Sequence, residues 1–363
     1  MNSRIDFLKD KLAGLADEKM TFMEVCGTHT VSIFRTGLRS LLPRNINLLS
    51  GPGCPVCVTD QRDIDSMISV FENAPEKITI ATYGDMMRVP GSISRRKSSL
   101  ADLRGGGADV RVVTSAIQCI DIAEGVNNQV IFLGVGFETT APATAVLIKE
   151  AAKRNVKNLS VYSVHKTIPR ALRALASNMI EGSVNLDGFI LPGNVSVLIG
   201  ENPYKFIPDE YKKSCVIAGF EAEPILAAIA ELARQTKLKT PEVVNFYKEA
   251  VNADGNPRAM KIVHEVFEEC DSEWRGLGEI KNSGLGIREE FQDFDAVKRF
   301  SIAKGEAQVT GCECGKVLLG VITPPECKLF GSACTPTSPV GACMVSGEGT
   351  CGAWFRWNKD LPR

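Results

Sequence analysis

The sequence predicts an α/β protein: two small parallel-sheet α/β domains plus a helical or irregular third domain. Three observations carry this. Apolar strand-like runs alternate with helix-like segments from residue 46 to about 220, helical periodicity takes over after 224, and six of the twelve cysteines fall within residues 312–351. Apolar strands alternating with helices imply parallel sheets covered on both faces. At the N-terminus, Ile5, Leu8, Leu12 and Leu15 recur at helical spacing, and Ser3 is expected to cap that helix. A short strand is expected at 21–25, followed by the loop of Cys26 and a helix stopped by Pro43. Further strands are expected at 46–50, 78–83, 109–114, 130–135, 160–164, 187–192 and 214–220. The polar interruption AEGVNNQ, near 124–129, suggests the boundary between the α/β units, giving domains 44–126 and 127–223. Segments 1–43 and 224–363 then form the third domain, with PILAAIAELARQ, PEVVNFYKEAV and PRAMKIVHEVFEEC read as helices.

Composition narrows the functional classes. The 363 residues carry a formal net charge of −1 with no basic block, which argues against nucleic acid as the main partner. No apolar run approaches the roughly 18–20 residues that span a bilayer. The N-terminus is charged and amphipathic, unlike a secretory signal. A cytoplasmic location is therefore expected, where structural disulfides are uncommon and cysteines serve metals or redox exchange.

Two thiol groups stand out. Cys54 and Cys57 form a CxxC in SGPGCPVCVTDQRDI, between a strand and a helix expected to be capped by Thr59. A helix N-terminus lowers a thiol pKa, so Cys57 reads as half of a thiol–disulfide pair. Cys26, in EVCGTHT, lies on a Gly-containing turn at a helix start, three residues before His29. His29 is expected to orient the thiol or move its proton.

The tail is rich in Gly and Pro and needs a crosslink to order. Cys312, Cys327, Cys334 and Cys351, separated by 14, 6 and 16 residues, are one ligand set for a [4Fe–4S] cluster. Cys314 and Cys343 then remain as a dithiol. The compact set Cys327, Cys334, Cys343 and Cys351 is the alternative, and Cys₄ zinc is the rival metal site. GVGFETTAP (134–142), His165 and LPGNVSVLIG (191–200) sit at strand ends, where α/β proteins bind ligands, the first as a possible anion site. Cys119, Cys215 and Cys270 read as core thiols, and His264 as structural.

CGTHT, GPGCPVC, GFETTAP, LPGNVSVLIG and CMVSGEGTC together resemble the HypD family of [NiFe]-hydrogenase maturation factors, over essentially the whole chain. The resemblance implies two related α/β units and a third built from both chain ends. It implies one [4Fe–4S] cluster with an adjacent cysteine pair like that of ferredoxin–thioredoxin reductase. The scaffold cysteine falls on Cys26, the CxxC on Cys54 and Cys57, and the cluster ligands on Cys312, Cys327, Cys334 and Cys351. The implied task is assembly of an Fe(CN)₂CO unit, with iron held between Cys26 and HypC and cyanide supplied by HypE. A stand-alone disulfide reductase and a structural zinc scaffold are the rival functions.

Overall fold

The computed structural model describes residues 2–73, 77–92, 99–180, 182–305 and 310–357. Eleven strands lie within them: β1 Met20–Glu24, β2 Ile46–Ser50, β3 Ile78–Thr82, β4 Asp109–Val112, β5 Gln129–Gly134, β6 Leu159–Ser163, β7 Gly188–Pro192, β8 Ser214–Ala218, β9 Val243–Asn245, β10 Phe267–Trp274 and β11 Gly278–Ile287. Two all-parallel sheets result, in the orders β2-β1-β7-β8-β9 and β4-β3-β5-β6. The α/β class expected from the alternating runs is the one observed. The central strands are buried on both faces, which is why they read as continuous apolar runs: every residue of β3, β7 and β8 is buried.

The strands are shared between the sheets differently from the expectation. β5 pairs with β3, so the polar segment near 124–129 is a connection inside one sheet and separates nothing. β1, assigned to the third domain, pairs with β2 and β7 at the centre of the five-stranded sheet. The whole four-stranded unit is thus inserted between β2 and β7. A parallel sheet permits this because each connection already leaves the sheet and returns.

The segment after 224 also departs from an all-helical reading. PILAAIAELARQ lies in the helix Ala222–Leu238, which packs on the N-terminal helix Asn2–Leu15. Ser3 is already inside that first helix, and its side chain lies outside the described residues. PEVVN instead supplies edge strand β9, where two valines suit a pleated surface better than a helix. The helix Pro257–Val266 stops at Phe267, and β10 and β11 form an antiparallel hairpin.

That hairpin fastens the four-stranded unit to the cysteine-rich tail. Lys166, at the end of β6, is buried and donates from Nζ to Ser272 Oγ (2.7 Å) and to the Glu273 carbonyl (2.6 Å). Trp274 is 1% exposed, donates to Ser283 Oγ (2.8 Å) and stacks on Phe137 at 6.0 Å. Trp274→Ala is expected to cost about 3–5 kcal/mol, by loss of buried aromatic area plus the cavity left behind. Urea unfolding checks this; a loss of about 1 kcal/mol or less, that of an average substitution, would mean the hairpin is not anchored here.

Candidate thiol and metal centre

In each parallel sheet the order reverses beside a central strand, which opens a crevice at the strands' C-terminal ends. In the five-stranded sheet this is between β1 and β7, and Cys26 follows β1 directly. Cys26 takes the extended N-cap position of the helix Gly27–Arg35. Gly53 passes so close that a Cβ there would lie 2.2 Å from the Cys26 nitrogen. The Gly27 N–H donates to the Gly53 carbonyl (3.1 Å), joining the Cys26 turn to the residue preceding Cys54.

The environment of Cys26 is acidic. Glu24 is fully buried beneath it and accepts the Cys26 N–H (3.1 Å) and the Thr30 hydroxyl. Burial pushes the Glu24 carboxyl up to about 7. Glu348, from CMVSGEGTC, accepts the Thr28 hydroxyl (2.7 Å), and a Cβ on Gly27 would strike it at 2.5 Å. Burial pushes the Cys26 thiol up to about 12, the His29 N–H opposes this, and the charges of Glu348 and Glu24 add to it. The helix start alone therefore does not make Cys26 a thiolate.

His29 is placed differently from its expected role. Its main-chain N–H, not its ring, meets Cys26. Nε2 faces the carbonyls of Ala218 (3.2 Å) and Gly219 (3.1 Å) at the end of β8, so Nε2 carries the proton. Burial lowers the imidazole to about 4, which keeps it neutral, and Nδ1 is buried without a partner.

Cys54 and Cys57 flank the start of the short helix Pro55–Val58. Their sulfurs are 2.6 Å apart, and the Cys57 N–H also points at Cys54 Sγ (3.3 Å). Thr59 closes this helix by bonding the Pro55 carbonyl (2.8 Å), so it does not cap the next one; Asp60 does, through Arg62 N (3.0 Å). Burial pushes Cys57 well above the ordinary thiol range, reinforced by Cys343 and Cys54. The expected depression of its pKa is reversed because the pair is wholly enclosed.

Cys343 lies at the centre of the sulfur network. The thiols of Cys314, Cys351 and Cys57 act on it and pull its pKa well down. Cys314 is in turn 3.0 Å from Cys312. Sulfurs therefore run without a break from Cys54 through Cys57, Cys343 and Cys314 to Cys312. Cys312, Cys314, Cys327, Cys334 and Cys351 line one cavity, closed by the apolar Val317, Leu329, Phe330 and Met344. Cys343 stands behind that wall. Gly341 completes the cavity: a Cβ there would lie 2.3 Å from Cys312 Sγ and 2.6 Å from Cys314 Sγ. Among the described residues no group of three or more His, Cys, Asp or Glu is placed so that it could hold a metal ion. A lining of thiols and apolar side chains, with no carboxylate or imidazole, is a donor set that fits an iron–sulfur cluster or a Cys₄ zinc site.

The remaining candidates divide. Cys119 and Cys215 are fully buried, as expected, whereas Cys270 is exposed on β10. His264 is on the exposed face of its helix. His165 is buried between Thr144 (3.2 Å) and Ser163 (3.1 Å), satisfied as a core residue. LPGNVSVLIG is mostly the helix Gly193–Ile199, with Asn194 exposed and Ser196 bonded to Pro192 and Tyr204. In GFETTAP the carboxyl of Glu138 turns to a helix other than Ala141–Lys153, the one this motif opens. Its Oε1 accepts the Ile168 N–H (2.9 Å) at the start of the helix Ile168–Ala176, and Oε2 is buried without a partner. Sequence reasoning missed Glu24, Glu138 and Glu348; the last two stand inside recognised motifs, but only their burial or contacts single them out.

A family profile described as "HypD: Hydrogenase formation hypA family" matches residues 3–358. The chain belongs to the HypD family. The hydrogenase maturation factor HypD of Rhizobium leguminosarum bv. viciae is 43% identical, covering 96% of this chain and 91% of its own length. The HypD proteins of Azotobacter vinelandii (42%, covering 97% and 94%) and Cupriavidus necator (44%, covering 95% and 92%) are similar to it in the same way.

Burial pushes the Glu138 carboxyl up to about 7 from 4.5. The stability it contributes is fully present below pH 4.5 and lost as pH rises through 7. Glu138→Gln is expected to gain on the wild type over that interval, by up to about 3 kcal/mol. Denaturant unfolding at pH 5 and pH 8 tests this; an equal difference at both would show that the carboxyl is not held protonated.

Proposed function

We propose that this chain assembles the Fe(CN)₂CO unit of [NiFe]-hydrogenase in a stable complex with HypC, accepting cyanide from a transient HypE complex. The observation that carries this is the unbroken run of sulfurs from the tail cavity to the CxxC, whose loop packs on the Cys26 turn. The iron is cargo. Low-spin iron with cyanide and CO is soft and suits thiolates, one from Cys26 and one from HypC. Binding the metal deprotonates the Cys26 thiol despite its raised pKa.

Cyanide release from a HypE thiocyanate requires two electrons. The Cys54/Cys57 dithiol supplies them: one sulfur attacks the thiocyanate sulfur, hydrogen cyanide leaves, and the second sulfur displaces the HypE thiol as the disulfide closes. Two thiols and one thiocyanate thus give one disulfide, one thiol and one HCN. Protonated thiols bring the protons this balance needs. Cys343 and Cys314 return the CxxC to the dithiol by exchange. A [4Fe–4S] cluster held by Cys312, Cys327, Cys334 and Cys351 would supply single electrons from an outside donor. His29 clamps the Cys26 turn to the end of β8, and its unpartnered Nδ1 is a neutral acceptor on that turn. No helix among the described residues is long and apolar enough to cross a membrane, and a reducing cytoplasm suits twelve free cysteines.

Cys26→Ala is expected to keep the tail cluster but to abolish the cyanide and CO infrared bands of the HypC complex. Normal bands in that variant would place the iron elsewhere. They would also favour a stand-alone disulfide reductase, which needs no iron at Cys26. Within the tail, Cys312→Ala is expected to lose acid-labile sulfide and Cys343→Ala to retain it. The reverse pattern would make the compact set Cys327, Cys334, Cys343 and Cys351 the ligands, and zinc with no sulfide at all would establish the structural scaffold.

A further inference from the structure

Arg275 occupies the turn between β10 and β11, far in sequence from every cysteine motif. Its main-chain N–H donates to the Val58 carbonyl (2.9 Å), Nε to the Thr59 carbonyl (3.0 Å) and Nη1 to Gln61 Oε1 (2.9 Å). The guanidinium is therefore fixed to the end of the CxxC helix. Its remaining nitrogen, Nη2, is buried and has no partner. An unpaired buried donor costs roughly 1–3 kcal/mol, more when charged. The next residue, Gly276 (φ +81°), touches the helix that starts at Cys314: a Cβ there would fall 2.1 Å from Gly315 Cα. The turn thus meets the helix that carries Cys314, one of the residues lining the cysteine-rich cavity. Asp60 lies in the field of the guanidinium.

We propose that Arg275 is a positioning residue whose free Nη2 donates to the sulfur shell of the tail cluster and raises its reduction potential. This rests on the cluster reading given under Proposed function. Each one-electron reduction adds a negative charge to an already anionic cluster. A fixed cation and donor beside it favours the reduced form, and hydrogen bonds to cluster sulfurs are among the determinants of potential. The same side chain holds the CxxC helix, so it links the electron source to the dithiol that consumes the electrons.

The test uses full-length protein purified anaerobically, with iron and sulfide measured and the midpoint read by electron paramagnetic resonance during dithionite titration. Arg275→Met is expected to keep its iron and to shift the reduction equilibrium at least tenfold toward the oxidised form, about 59 mV for one electron. Arg275→Lys, which keeps the charge, is expected to recover most of that shift. Lys316 is the control cation: it is exposed and paired with Glu313 (2.8 Å), so Lys316→Met should leave the midpoint in place. An unchanged midpoint in Arg275→Met, or one moved no further than in Lys316→Met, overturns the inference. If Arg275→Met loses the cluster, Arg275→Lys decides. A retained cluster in it supports the role, whereas loss from both together with a fallen melting temperature makes Arg275 only a structural staple. Wild-type protein without a cluster signal would instead overturn the proposed function, and this inference with it.

Discussion

The sulfur network depends on backbones that approach too closely for a Cβ. At Gly53 the chain lies against Cys26 N, at Gly341 against the sulfurs of Cys312 and Cys314, and at Gly349 a Cβ would sit 2.2 Å from the Cys343 carbonyl oxygen. Gly27 meets Glu348 in the same way. Of these four contacts, the one between Gly27 and Glu348 joins opposite ends of the chain. None of the four needs a left-handed φ, so the constraint is space and not backbone strain. Any side chain there must push apart the groups whose separation the chemistry requires, which explains why the motif segments are glycine-rich without being flexible in the fold.

Burial then sets the chemical character of the site. Cys26, Cys57 and Cys351 are enclosed and held as thiols, while the thiols around Cys343 pull its pKa well down. A closed dithiol store is slow to react with solvent oxidants, because attack requires the thiolate. Under the proposed function, reaction is reserved for a partner that changes the local field, a soft metal or a docked thiocyanate. Glu24 and Glu138, both pushed up to about 7, extend the same logic to carboxyls: each is buried near a strand end without an ion pair of its own.

The strands were legible because parallel-sheet interiors demand continuous apolar runs, as in ITIAT of β3 or SCVIA of β8. Two elements were not. Val243–Asn245 is too short to show a period, and it is a strand only because β8 offers it an edge. Phe267–Trp274 follows a helix without a break and alternates poorly, with Glu268, Glu269, Cys270 and Asp271 all exposed. Its conformation comes from pairing with β11, and its anchorage from Trp274 and Lys166. Arg275 carried no signal for the same reason: a turn arginine in isolation says nothing about what its guanidinium reaches.

The sequence by itself determined the α/β class, the motif cysteines and the family, because each rests on local pattern: apolar runs, CxxC spacing and long contiguous motifs. Tertiary structure decided how the strands are shared between the sheets, since β5 pairs with β3 across a polar segment that reads like a boundary. It also decided which sulfurs face one another. Spacing left Cys312 and Cys343 interchangeable, and the fold puts Cys312 on the cavity wall and Cys343 behind it against Cys57. Proton affinities reversed for a related reason. A helix start lowers a thiol pKa locally, but desolvation is imposed by every element packed around the thiol, and at Cys26 and Cys57 that larger effect wins.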